Sequence, residues 1–207
     1  MTLQNGAGHE DLLKEFVDEE HIVIGTTEDN GAVLGMGHVR RGGTGVTNVG
    51  MLVEDKEGFL PKLKEAFDQC GFNVKIHENI QTLIWDKLFT NVSLSALTGV
   101  LQVDMGYIAA NEYAWDLCCQ LIHETVKTAA AAGLNFDEEK VREKVKNTSI
   151  NNPNGCTSIR ADLRDGRRTE VDTISGAVVR AAHKYGVEVP GHECIVRLVH
   201  AMEGRNK

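Results

Sequence analysis

A lysine and two hydrogen-bonding side chains recur every four residues in the segment WDKLFTNVSLSALTG. They are Lys87, Asn91 and Ser95. In an α-helix this spacing drifts by only about 80° around the axis, so all three line one face. The apolar residues between them lie on other faces and can pack: Leu88, Val92 and Leu97. The row is therefore either a binding site on an otherwise apolar helix or a solvated helix face.

A second polar cluster lies in TSIRADLRDGRRTEVD. Ser158 and Asp162 are one helical turn apart, and an arginine-rich turn then leads to Glu170. The sequence 169–172 resembles a capping box with Asp172 in place of Glu, which predicts a helix from there to Gly186. A carboxylate in the first turn of a helix is stabilised as the anion, so Glu170 is a ligand candidate. Alternatively, the two carboxylates serve only the helix start.

The opening segment MTLQNGAGHE is typical of a strand, a glycine-rich turn and a helix that begins at His9. Asn5 lies at the carboxyl end of that strand, where open α/β sheets bind ligands. Gly6 and Gly8 allow the backbone to approach a ligand closely. This arrangement belongs in the middle of a sheet, so we expect strands before it.

The chain changes character near residue 80. Before it, the residue pattern predicts β-rich runs at 22–27, 32–39, 44–50 and 72–76. It also predicts one amphipathic helix at 58–70. After it, the pattern predicts helices only, at 80–100, 113–132, 137–147, 169–186 and 190–202. We therefore predict an α/β domain over residues 1–78 and an all-α domain over residues 79–207.

Composition excludes several classes of protein. The net charge of −8 supplies no basic stripe for nucleic acid or an anionic membrane. The five cysteines are odd in number and show no CxxC spacing, which favours buried thiols over a disulfide or metal framework. No apolar run reaches the ~18 residues of a membrane span, and the start lacks a secretory pattern. We expect a cytoplasmic protein without a bound metal.

The motifs together resemble one family. QNGxG, then GTT and GHVRRGGTGVTNVG, then NIQTLIWDKLFTN, then TSIRADLRDGRRTEVD occur in the order and spacing of ketopantoate reductase (2-dehydropantoate 2-reductase), an NADPH-dependent enzyme of pantothenate synthesis. The resemblance covers residues 2 to about 203. It implies the second half of a Rossmann-like NADP-binding domain followed by an all-α domain.

The family begins with a Rossmann half that carries GxGxxG, and no segment here matches it. The resemblance therefore implies that the front of the enzyme is missing. An internal Met start, proteolysis and a genuine short form are the three explanations that stay open.

The resemblance also implies roles for individual residues. Lys87 matches the lysine that donates a proton to the carbonyl oxygen of a 2-oxo acid while NADPH delivers a hydride. Glu170 matches the glutamate that accepts a hydrogen bond from the substrate hydroxyl. Asn91 and Ser158 match substrate-binding residues, Ser158 on the substrate carboxylate.

Asn5, Gly6 and Gly8 match the cofactor loop, with Asn5 between nicotinamide and lysine. Ser95 departs from the pattern, because the family usually has a second asparagine there. A hydroxyl replaces an amide that offers both donor and acceptor, so the substrate is either ketopantoate or a 2-oxo acid with another C3 substituent.

Two alternatives to the reductase stay open. The chain could be an inactive helical dimerisation module, or another dehydrogenase of the opine or 6-phosphogluconate type. The W-x-K-x3-N and TE-x-D spacings argue against the last. Because missing strands would leave an exposed sheet edge, we expect a homodimer.

Overall fold

The computed structural model describes residues 1–206 and divides the chain into two compact units. We call Met1–Ile84 the α/β unit and Trp85–Lys207 the helical unit. The α/β unit contains, in chain order, α1 His9–Leu13, a 3₁₀ turn Glu19–His21, β1 Val23–Thr27, β2 Asn30–Gly35, β3 His38–Gly43, β4 Val46–Met51, α2 Phe59–Gln69 and β5 Asn73–Ile76. An α/β part followed by an all-helical part confirms the predicted fold class.

The main sheet has the strand order β1-β4-β5. β4 runs antiparallel to β1 and parallel to β5, and α2 makes the parallel crossover. Residues from the sheet and α2 form one apolar cluster, namely Val23, Val49, Leu60 and Val74. Thr2 forms a parallel bridge with Ile24, and its N–H donates to the carbonyl of Val23 at 3.0 Å. Residues 1–3, predicted as the end of a strand, thus form an isolated bridge beside β1 and not a strand, whereas α1 follows the glycine turn as predicted.

The β-rich run predicted at 32–39 contains a turn and belongs to a hairpin. β2 and β3 pair with each other in a separate two-stranded sheet. The turn between them contains Gly37 at φ 70°, a left-handed conformation that glycine adopts without steric cost. The side chains near the turn are largely exposed, among them Met36 and Val39.

After β5 the elements of the chain are helical. The elements are α3 Ile80–Thr90, a π turn Asn91–Ser95, α4 Ala96–Leu101, α5 Met105–Ala110, α6 Glu112–Ala131, α7 Glu138–Asn151, α8 Ser158–Arg164, α9 Ser175–Tyr185, α10 Pro190–Glu203 and a 3₁₀ turn Gly204–Asn206. The single helix predicted at 80–100 is therefore interrupted by a π turn. The helix predicted from Thr169 begins six residues later, at Ser175.

In the core of this unit, buried hydrogen bonds join α6 to α10. Glu124 is 5% exposed, and its carboxylate accepts the N–H groups of Gly191 and His192 at 2.9 and 3.1 Å. Burial lowers the pKa of His192, whose Nε2 lies 2.9 Å from Thr125 Oγ1. A buried carboxylate on free N–H groups at a helix start is a stable arrangement, so α10 is fixed at its first turn.

The cysteines are free, but the expectation that they are buried is only partly right. Cys118 is buried, and burial raises its pKa to about 12. Cys119 is half-buried, whereas three cysteines are exposed, namely Cys70, Cys156 and Cys194. Within residues 1–206, none of the helices has the length and apolar character to cross a bilayer, and His, Cys, Asp and Glu side chains form no group of three suited to a metal ion.

Candidate functional site

The row Lys87, Asn91 and Ser95 is not a solvated face. Lys87 and Asn91 are half-buried, and Ser95 is only 3% exposed. The neighbouring Leu88 and Val92 are fully buried, as the helical spacing predicted. The polar row therefore leads from a half-buried lysine into the interior of the helical unit.

The π turn changes how this row is arranged. A π turn closes with i→i+5 hydrogen bonds, so the step from Asn91 to Ser95 does not follow α-helical spacing. Hydroxyl groups stabilise the carbonyls around it: Ser93 Oγ donates to the Phe89 carbonyl at 2.6 Å, and Thr98 Oγ1 donates to the Leu94 carbonyl at 2.7 Å. Such back-bonding bends helices, and π turns are frequent at functional sites. Ser95 Oγ is buried without a hydrogen-bond partner in the part of the chain that the structure describes.

Ser158 is the first residue of α8 and is exposed. The preceding Thr157 caps α8 by accepting the N–H of Arg160, and its hydroxyl lies 2.7 Å from Thr98 Oγ1 on α4. A Cβ added at Gly99 would lie 2.4 Å from Ile159 Cγ2, so α8 approaches α4 at a distance that only glycine permits. The start of α8 is thus held against the same helix that carries Ser95 at its N-terminal boundary.

The arginine-rich turn after α8 is neutralised by its own carboxylates. Arg167 pairs with Asp162 at 2.9 Å and with Asp165 at 2.8 Å, and Arg164 pairs with Asp165 at 2.7 Å. These hydrogen bonds, chiefly the one from Arg164, lower the pKa of Asp165 to about 2. Asp162, one turn after Ser158, therefore serves this ion-pair network.

Glu170 is half-buried and lies in a turn that precedes α9, not in the first turn of a helix. The predicted capping box is wrong for a specific reason. Thr169 is 8% exposed, and both its N–H and its hydroxyl donate to Glu203 Oε1, at 2.7 and 2.8 Å. The acidic partner of Thr169 is therefore at the end of α10, 34 positions along the chain, and not Asp172.

The loop Asn5–Gly8 lies in the α/β unit. Gly6 and Gly8 have φ values of 97° and 83°, a left-handed conformation that only glycine adopts easily, so this loop requires glycine at both positions. His9 Nε2 lies 2.9 Å from the Asn5 carbonyl, and Gln81 on α3 donates to Glu10 at 2.7 Å. These contacts hold the loop and the start of α1 in one conformation.

Within the helical unit, α4 is the common support for the candidate residues. It follows the π turn directly, and it packs against both α8 and α10. Ser158 begins α8, and the turn that carries Glu170 is bonded to α10. Sequence reasoning missed the contact of Thr157 with Thr98 and that of Glu203 with Thr169, because these partners lie 59 and 34 positions apart in the chain.

Two sequence models of one family match the chain. The sequence model described as "Ketopantoate reductase PanE/ApbA C terminal" matches residues 79–203, and the one described as "Ketopantoate reductase PanE/ApbA" matches residues 1–54. A 2-dehydropantoate 2-reductase from Streptococcus pyogenes is 28% identical over 204 residues, and one from Halobacterium salinarum is 30% identical over 199 residues. The alignments cover 98% and 96% of this chain but 66% and 65% of the relatives. The chain thus spans slightly less than two thirds of their length.

Solved structures share this fold over almost the whole chain. D-mandelate dehydrogenase in complex with NADH is 30% identical with a TM-score of 0.90, covering 99% of this chain and 70% of that one. A putative 2-dehydropantoate 2-reductase from Enterococcus faecalis is 28% identical with a TM-score of 0.79, covering 99% and 66%. The first family model alone spans more than half of the sequence. The chain therefore belongs to the ketopantoate reductase PanE/ApbA family.

Proposed function

We propose that the chain carries the substrate-binding and proton-donating groups of an NADPH-dependent reductase that converts ketopantoate, or a related 2-oxo acid, into the 2-hydroxy acid. The observation that carries this proposal is a half-buried pair in a chain of this family, namely Lys87 on α3 and Asn91, the first residue of the π turn. The relatives from Streptococcus and Halobacterium are themselves 2-dehydropantoate 2-reductases.

The chemistry of the proposed residues suits this reaction. Lys87 supplies both a cation and a proton to the carbonyl oxygen as negative charge develops there, and partial burial strengthens that interaction. Glu170 accepts a hydrogen bond from the substrate hydroxyl. Asn91 and Ser158 offer an amide and a hydroxyl for the substrate carboxylate and its neighbours.

A nicotinamide cofactor would be held in part by Asn5, Gly6 and Gly8. The two glycines take left-handed conformations, so no Cβ stands between the backbone and a ligand on that side. A reduced nicotinamide, when bound, supplies the hydride for the carbonyl carbon. In this role, the side-chain amide of Asn5 would form hydrogen bonds that orient the carboxamide of the nicotinamide.

The substrate class has two members to test. Ketopantoate is the substrate that the relatives' names indicate. Ser95 favours a second candidate, a bulkier 2-oxo acid such as phenylglyoxylate, because serine leaves more room than asparagine. The similarity to D-mandelate dehydrogenase supports that candidate, and one of its structures holds NADH and anilino(oxo)acetate.

The test is a fluorescence titration of the purified chain with NADPH and with NADH, followed by addition of ketopantoate or phenylglyoxylate. Micromolar cofactor binding with oxidation of the nucleotide supports the proposal, and the faster substrate identifies the class. Lys87→Ala is the matched control and should bind the nucleotide but oxidise it about 10²–10⁴-fold more slowly. Failure of the wild-type chain to bind either nucleotide or either acid would favour the alternative, an inactive helical interaction module.

We propose further that the chain forms a homodimer in the cytoplasm. Large apolar side chains are exposed near α1 in the α/β unit: Leu12 at 57%, Phe16 at 81% and Val17 at 45%. Exposed apolar patches of this kind mark interaction surfaces. Sedimentation velocity should give a dimer that Phe16→Glu weakens, whereas a monomer at all concentrations would contradict the proposal.

A further inference from the structure

The turn that carries Glu170 is bonded on both sides to the end of α10. Glu203 Oε1 accepts the N–H and the hydroxyl of Thr169 at 2.7 and 2.8 Å. Glu203 Oε2 lies 2.9 Å from His200 Nδ1, and His200 Nε2 lies 2.9 Å from Asp172 Oδ1. One chain of polar contacts therefore joins the residue before Glu170 to the residue two positions after it.

The turn itself, residues 169–174, is closed by its own backbone. Thr169 Oγ1 accepts the N–H of Val171 at 3.2 Å, while it donates to Glu203. The carbonyl of Glu170 accepts the N–H groups of Thr173 and Ile174, each at 3.1 Å. These hydrogen bonds fix the backbone of Glu170 within the turn.

The charges around His200 favour its protonated form. Both ring nitrogens face carboxylates, and only an imidazolium donates from both. The hydrogen bond with Glu203 raises the pKa of His200, with a further contribution from Asp172 and against partial burial. Arg168 pairs with Asp172 at 3.3 Å, and Arg180 donates to the Asp172 carbonyl at 2.8 Å, so both arginines contact Asp172 and not the histidine.

We infer that His200 and Glu203 are positioning residues that hold the turn 169–174 so that Glu170 meets the hydroxyl of the bound 2-oxo acid. Neither residue has to touch the substrate, since they act through Thr169 and Asp172. The inference rests on the proposed function for the substrate, whereas the restraint on the turn stands on the contacts alone.

The experiment compares Glu203→Ala, Glu203→Gln and His200→Gln in the whole chain with His183→Gln as matched control. His183 lies on α9 and pairs with Glu193 on α10 at 3.2 Å, so its hydrogen bond does not involve the turn 169–174. Two quantities are measured: amide hydrogen exchange at Val171, Thr173 and Ile174, and ketopantoate affinity by calorimetry at several pH values.

Glu203→Ala should speed exchange of these amides and weaken ketopantoate binding, each about tenfold, because two hydrogen bonds to a carboxylate are lost. Glu203→Gln should recover part of both, and His183→Gln should change neither. In a double-mutant cycle with Glu170→Gln, Glu203→Ala should cost much less affinity than it does alone, since both changes remove one function. The wild-type affinity should fall as His200 deprotonates, and His200→Gln should lack that pH dependence.

Unchanged exchange in Glu203→Ala would overturn the restraint, and additive losses in the cycle would overturn its action through Glu170. If the wild-type chain binds no ketopantoate, the proposed substrate fails. The exchange measurement then still decides whether His200 and Glu203 restrain the turn.

Discussion

The two candidate catalytic residues, Lys87 and Glu170, are held by different means. Lys87 lies on a helix whose neighbouring residues Leu88 and Val92 are fully buried, and short-range hydroxyl bonds shape the π turn after it. Glu170 lies in a non-helical turn that depends on side chains about 30 positions away. The first arrangement is encoded locally, whereas the second exists only when α10 has docked.

Because of this difference, the contribution of a catalytic group can be measured separately from the contribution of its positioning. Removing Lys87 deletes the proposed proton donor and leaves its packed helix in place. Disturbing α10 leaves every proposed catalytic group present and moves one of them. The helical unit therefore allows the two contributions to be measured in the same chain.

The largest effect is expected for Lys87→Ala. Loss of the proton donor should lower kcat with the better 2-oxo acid by about 10²–10⁴-fold, the usual contribution of general acid catalysis. Lys144→Ala is the matched control. Lys144 lies on α7, pairs at 2.5 Å with Asp86, the neighbour of Lys87 on α3, and has no proposed role. Steady-state kinetics and circular dichroism check both variants. Near-normal turnover in Lys87→Ala would contradict the assignment.

Glu124→Ala tests how much its buried carboxylate contributes to fixing α10, the helix that holds the turn of Glu170. The variant leaves the N–H groups of Gly191 and His192 without their buried acceptor, which should lower the free energy of unfolding by about 3 kcal/mol. Urea unfolding measures this loss. The exposed Glu143 on α7 offers the control Glu143→Ala, expected within about 0.5 kcal/mol of wild type. A similar small change in Glu124→Ala would mean that α10 is fixed by apolar packing alone.

Sequence reasoning succeeded where short-range chemistry decides the structure. Gly186 ends α9 at φ 69°, as predicted, and Asp137, the first residue of the helix predicted at 137–147, caps α7 by accepting the N–H of Lys140 at 3.2 Å. The burial of Leu88 and Val92 follows from spacing alone. In each case the deciding atoms lie within about one helical turn of each other.

Sequence reasoning failed where a side chain bonds a distant partner in place of a local one. Thr169 has a local acidic residue at the capping-box position, yet it bonds Glu203, and α9 starts only at Ser175. The π turn was equally invisible, because Asn91 and Ser95 fit an ordinary α-helix by spacing. The roles of the candidate residues stay predictions, since only ligand-bound or kinetic measurements test them.

Gly99→Ala addresses the contact between α4 and α8. The new Cβ would lie 2.4 Å from Ile159 Cγ2, so α8 has to shift, at a cost of about 2 kcal/mol from overpacking. Ser158 moves with α8, and the KM for the 2-oxo acid should rise while kcat changes less. Gly204→Ala is the control, because a Cβ added there would meet nothing within 4 Å and the residue has a φ of −70°. Equal melting temperatures and KM values for the two variants would show that α8 adjusts without cost.

The smallest effect concerns pH and bears directly on how Glu170 is held. The folded pKa of His200 is raised above 6.5 by Glu203, so its stabilisation is fully present below pH 6.5 and is lost as pH rises through the raised value. Burial raises the pKa of Glu203, but hydrogen bonds from Thr169 and His200 outweigh it and lower the pKa below 4.5; that stabilisation is lost as pH falls through the lowered value. The restraint on the turn is therefore strongest between pH 4.5 and 6.5. Unfolding free energies of wild type and His200→Gln should differ most in this window and converge above it, whereas a constant difference across pH would show that the histidine acts by packing and not by charge.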